Sequence, residues 1–166
     1  VVSEPDNRRF APLGVMPSMH YTHCTSDMPW AEARLGPERI KGAYAWRSLI
    51  SAGSRIPGGS DFPVESPNPF LGIYAAVTRQ DASGNPEGGW RPSERLAVEE
   101  AVRAFTVDAA YAARAEAVAG SLSAGFVADL LVISGDIFSM KPREIQGIRV
   151  LATVLAGQIV YRAGDF

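Results

Sequence analysis

Apolar residues recur at helical spacing in several stretches of the chain, separated by short continuous runs. In "GPERIKGAYAWRSLISAG", Ile40, Ala43, Ala45, Trp46, Leu49 and Ile50 cover one broad side, with Pro37 at the start and Gly53 at the end. That pattern predicts a helix over 37–53. From Ser93, Leu96, Val98, Ala101, Val102, Phe105, Ala109 and Ala112 repeat near helical spacing until Gly120, which predicts a second long helix. A short helix is expected over 4–13, where Ser3 can cap, Pro5 sits in the first turn and Gly14 is a stop. "PNPFLGIYAAVTRQ" holds about two further helical turns.

Between these lie strand candidates. "GVMPSMHYTH" is apolar and glycine-bounded, a buried strand interrupted by Pro17, and "SRIPGGSD" is a short strand that stops at Asp61. Helix and strand therefore alternate through the first two thirds, which argues parallel βα units. The last third changes character. "FVADLLVIS" reads as a strand, and "IRVLATVLAGQIVYRAG" as two strands meeting in a hairpin at Gly157-Gln158. The pattern divides the chain near Ala119 into an α/β part, 1–119, and a β part, 120–166, with "DASGNPEGGWRP" as a loop.

Composition narrows the class. The 166 residues carry 16 Lys+Arg against 18 Asp+Glu. There is no basic excess to neutralise a phosphate backbone or an anionic membrane surface, so neither nucleic acid nor membrane is an expected partner. No apolar run reaches the roughly 20 residues needed to span a bilayer, and the first residues lack a signal pattern. The single Cys24 excludes an internal disulfide and a cysteine-only zinc cluster and fits a reducing, cytoplasmic setting. With only His20 and His23, histidine is scarce for a chain that would build a three-ligand catalytic zinc site by itself. A start at Val1 suggests a piece of something longer.

Candidate chemistry sits where the short strands end. Asp61 follows Gly58 and Gly59, which remove side chains and let another group approach closely. A carboxylate there could bind a metal or accept a proton from a metal-bound water; from spacing alone the commoner reading is a turn or cap residue. "HYTHCTSD" brings His20, His23, Cys24 and Asp27 together. His23 and Asp27 could be a ligand and its orienting partner or a substrate-binding pair, or a satisfied histidine and a cap. Cys24 reads as a small buried side chain. Trp90, on a loop, could wall a pocket.

Taken in order, "SMHYTHCTSDMPWAEARLGPERIKGAYAWRSLISAG", "GSDFPVESPNPFLGIYAAVTRQD", "GGWRPSERLAVEEAVRAFTVDAAYAA" and "GSLSAGFVADLLVIS" closely resemble the C-terminal portion of the amidohydrolase superfamily, in its amidohydrolase-3 or YtcJ-like branch. The resemblance covers essentially the whole chain. It implies an α/β fold: the last units of a TIM (β/α)8 barrel followed by C-terminal strands of a small β-sandwich. It also implies hydrolysis of C–N bonds in amide-type small molecules with a divalent metal, commonly zinc. "GSD" becomes the end of barrel strand eight, making Asp61 the aspartate that contacts the metal and serves as general base. "SMHYTH" becomes strand seven, with His23 facing the pocket as a substrate or transition-state contact. Asp27 and Trp90 are carried as further substrate-binding candidates.

The chain departs from the family's usual "MQPTH", with His20 and Tyr21 in place of Gln and Pro. Counterparts of the strand-one His-x-His, the bridging residue and the histidines of strands five and six are missing. The resemblance therefore implies a C-terminal fragment that is inactive alone and holds no tight metal, because Asp61 would have at most one histidine beside it. Its expected partners are a second copy or the remainder of a parent chain. The alternative is a non-catalytic α/β binding module derived from the same fold.

Overall fold

Two short parallel strands and the helices around them organise the first two thirds of the chain in the computed structural model, which describes residues 1–164. In order, α1 spans Glu4–Asn7, β1 Met19–His20, α2 Tyr21–Arg39, α3 Trp46–Ser51, β2 Gly58–Gly59, α4 Pro69–Thr78, α5 Val98–Phe105 and α6 Val107–Ala112. Then follow β3 Leu130–Ile133, β4 Val150–Leu155 and β5 Gln158–Arg162. β1 pairs with β2 in parallel, Met19 opposite Gly58 and His20 opposite Gly59. The last three strands form an antiparallel sheet in the order β3-β4-β5. The molecule mixes helix and strand, as the alternation of patterns predicts.

Several boundaries differ from the sequence expectation, each for a tertiary reason. The strand expected over 14–23 shortens to Met19–His20. Pro17 cannot donate to a ladder, and Tyr21 turns fully into the core, its hydroxyl donating to the Ile56 carbonyl at 3.1 Å and its ring set edge-on to Trp46 at 4.8 Å. α2 therefore begins at once, and His23 lies in its first turn rather than at the end of a strand.

The helix expected over 37–53 is broken. Gly36, at φ 72°, kinks the end of α2, Ile40–Gly42 forms a tighter turn, and only Trp46–Ser51 continues as α3. Gly42 lies against the backbone of Val2, whose amide donates to its carbonyl at 2.9 Å; a side chain there would begin 1.7 Å from the Val2 oxygen. The helix expected from Ser93 to Gly120 likewise splits at Thr106, where φ and ψ are −124° and −90°. Just before the split, the Phe105 ring is wedged where Cβ atoms of Gly58 and Gly72 would otherwise sit, which docks α5 on β2 and α4.

α4 lies where about two helical turns are expected and runs for ten residues. Asn68 caps it by accepting from the Phe70 amide at 3.0 Å, and Pro69 opens it. The β4–β5 turn falls one residue earlier than expected, at Ala156-Gly157, both at positive φ, with the Ala156 amide held by Asp129 Oδ1 at 2.7 Å. The core runs from Tyr21, Trp46 and Leu49 through Ile73, Ala101 and Ala104, and Ile137, Ile145 and Ile148 join the same cluster. Among the described residues, no helix is long and apolar enough to cross a membrane.

Candidate metal centre

The parallel register of β1 and β2 aligns their C-terminal ends, and three polar side chains converge there. His20 is the last residue of β1, His23 lies in the first turn of α2, and Asp61 follows β2 by two residues at φ 57°. His20 Nδ1 and His23 Nε2 each lie 3.9 Å from the same oxygen, Asp61 Oδ2. One ligand atom from each of the three residues can be chosen so that all lie within 4.8 Å of one another. The two imidazoles meet edge to face, with centroids 5.1 Å apart.

At 3.9 Å neither contact is a hydrogen bond. Two donors bound at about 2.1 Å to one tetrahedral ion stand about 3.4 Å apart, so the spacing suits a shared cation after a small closure. The fit is supported by His23 Nε2, which is buried without a hydrogen-bond partner; an orphan of this kind normally has an explanation. Two imidazoles and a carboxylate suit zinc and its first-row neighbours better than magnesium or calcium, which prefer oxygen. Asp61 is half exposed and free to adjust.

The expectation that Asp61 has at most one histidine beside it is corrected by His20. In the sequence His20 is grouped with His23, Cys24 and Asp27 and stands at a family glutamine position, with nothing that pairs it with Asp61. The signal that could have found it is its own placement as the last residue of a strand running parallel to "GGSD", three residues before His23.

Asp27 and Trp90 fall elsewhere. The Tyr44 hydroxyl donates a short hydrogen bond to Asp27, and burial followed by this carboxylate pushes the Tyr44 phenol well above its usual range. Trp90 stacks edge-on with Tyr44 at 5.9 Å and donates from Nε1 to Glu32 Oε1 at 2.8 Å. The structure thus draws His23 toward Asp61, and Asp27 and Trp90 toward Tyr44. The Asp27 hydrogen bond that the structure shows is with Tyr44 rather than with His23. Cys24 is fully buried, and burial pushes its thiol up to about 12, which fits the reading of an inert side chain.

A family model described as "Amidohydrolase family" matches residues 1–161. The Bacillus subtilis (strain 168) protein YtcJ, named as an amidohydrolase, is 40% identical over 136 residues, covering 82% of this chain and 26% of YtcJ. The N-substituted formamide deformylase of Arthrobacter pascens is 32% identical over 115 residues, covering 69% of this chain and 21% of the deformylase. Among solved structures, an uncharacterised metal-dependent hydrolase from Pyrococcus horikoshii OT3 superposes with TM-score 0.75 at 26% identity, over 86% of this chain and 29% of that one. The chain spans about a quarter of the length of these relatives.

Proposed function

The chain belongs to the amidohydrolase family, and from that premise we propose that it supplies the closing part of a metal-dependent hydrolase acting on C–N bonds of small amide-type substrates. Residues 1–119 are read as the last two barrel units and 120–166 as strands of a small β-sandwich. The observation that carries the reading is the Asp61 carboxylate, set just beyond β2 with two imidazoles at 3.9 Å.

A divalent cation, with zinc as our choice, would supply an activated water and a polarised carbonyl when bound. The chain's own contribution is positional and acid–base. Asp61 would face the ion with one oxygen and accept the proton of the attacking water. Its positive φ and the hydrogen bond from the Val64 amide to its backbone carbonyl, 2.8 Å, hold the turn that sets this residue just beyond β2. His23, beside Asp61 at the mouth of the same strand ends, would act there as a second ligand or as a substrate contact. The second cluster, Asp27 with Tyr44 and Trp90, braces α2, and of its members Asp27, one helical turn after His23, is kept as a substrate-facing candidate.

Alone, the 166 residues would not turn over substrate, since most of the barrel that would enclose it comes from elsewhere. Val160, Ile159 and Tyr161 are more than half exposed on the edge strand β5. We propose that another part of a longer chain, or a second copy, covers them; a compact monomer in light scattering at micromolar concentration would contradict this. A lone buried thiol fits a cytoplasmic setting.

The reading is tested in a longer protein that includes this span, assayed against N-substituted formamides and simple amides. Asp61→Asn should lower kcat by about 10²–10⁴-fold with the fold unchanged. Full turnover in that variant would remove Asp61 from the chemistry, and no amide turnover in the parent would favour a binding module.

A further inference from the structure

We propose that His20 is a metal ligand: His20 Nδ1, His23 Nε2 and one Asp61 oxygen form a divalent-cation site that these 166 residues carry by themselves. The inference rests on the reading above only in that Asp61 faces the ion. Four observations lead to it.

The three side chains offer one donor each within 4.8 Å of the others. They come from a strand end, a helix turn and a strand-following residue, all positioned by the pairing of β1 with β2. Two of the three distances, both 3.9 Å to Asp61 Oδ2, are too long for hydrogen bonds and close to the separation of donors on one ion. His23 Nε2 is buried and unpartnered, so coordination would satisfy an atom that otherwise bears a desolvation cost.

The fourth observation explains the orientation of His20. A Cβ on Gly59 would stand 3.3 Å from His20 Cδ2 and 3.5 Å from its Nε2. The absent side chain therefore lets the imidazole lie against β2 with its Nε2 edge on the strand and Nδ1 toward Asp61. A first-row ion binds such a set with a position left open, as three-ligand sites do.

The decisive experiment titrates the metal-free, tag-free 166-residue chain with Zn²⁺ by calorimetry and with Co²⁺ by visible absorption. One equivalent should bind, with Co²⁺ bands of low coordination number. His20→Gln should weaken binding by about tenfold or more. Asp61→Asn should do the same and suits the left-handed backbone at that position. Circular dichroism of both variants should match the parent, so a loss of affinity is not a loss of fold. No saturable binding, or equal affinity in the parent and His20→Gln, overturns the proposal. If that happens while Asp61→Asn still abolishes turnover in the longer protein, only the ligand role of His20 falls. Binding intact here with turnover unaffected there would sink the hydrolase reading and leave the cation site standing.

Discussion

Arg79 and Trp90 are joined twice. The Arg79 Nε donates to the Trp90 carbonyl at 2.6 Å, and the Trp90 amide donates to the Arg79 carbonyl at 2.8 Å. The guanidinium is wholly buried, donates also to the Tyr44 carbonyl at 2.9 Å, and lies 4.4 Å from the Trp46 ring centroid. Burial is the main force lowering its pKa, and backbone carbonyls and aromatic faces compensate for the buried charge. Arg79→Leu leaves a buried and a partly buried carbonyl without their donor and should cost about 3 kcal/mol. Arg79→Lys should recover only part of this, because an ammonium cannot span both carbonyls as the planar fork does. Urea unfolding of the two variants checks the order; equal stability of Leu and parent would contradict it.

Glu100 gives a pH-dependent contribution. Its hydrogen bond from Arg47 is the largest influence holding its carboxyl below the ordinary 4.5, and the Ala97 amide adds to it. A carboxyl depressed in the folded state stabilises above its unfolded pKa, and that stability is lost as pH falls through the lower folded value. Stability should therefore decline on acidification below about pH 4.5, and Glu100→Gln should flatten this part of the profile while lowering stability at neutral pH by about 1 kcal/mol. An unchanged acid limb in the variant would show that the pair is not coupled to folding.

Cys24 should be silent to thiol reagents. It is fully buried, and burial pushes its pKa up to about 12, so little thiolate is present at neutral pH. Disulfide-exchange labelling should be slow in buffer and fast in denaturant. Rapid stoichiometric labelling of the folded chain would show that α2 does not pack as described.

The two glycines of β2 should separate stability from metal affinity. A Cβ on Gly58 would come within 2.8 Å of Tyr21 Cε2 and 3.1 Å of Phe105 Cε2, both core rings, so Gly58→Ala should cost about 1–3 kcal/mol. On Gly59 the nearest contact is His20, at 3.3 Å, and that ring is partly exposed and can shift. Gly59→Ala should therefore leave thermal stability near the parent but weaken Zn²⁺ binding. The reverse order would mean that His20 is not positioned by β2.

Much of this layout is written locally. Asn68-Pro69 announces α4, and the glycine pair before Asp61 marks a close approach, although the groups that approach are the side chains of Tyr21, Phe105 and His20. What escapes local reading depends on distant partners. The apolar run before Tyr21 looks like a strand until Ile56 and Trp46 supply a core for the tyrosine. "AYAW" continues a helical pattern until Val2 occupies the space beside Gly42 and Tyr44 turns to Asp27. Nothing in "VTRQ" discloses that Arg79 is buried. His20 becomes a candidate only when β1 is paired with β2, because its neighbour in space, Asp61, is distant in sequence.

The convergence of His20, His23 and Asp61 on one ion is tested most directly by anomalous diffraction at the zinc edge, from crystals of the 166-residue chain grown with Zn²⁺. A single peak is expected within about 2.0–2.3 Å of His20 Nδ1, His23 Nε2 and an Asp61 oxygen. A crystal whose zinc peaks all lie elsewhere, with Asp61 turned away from both imidazoles, would contradict the account.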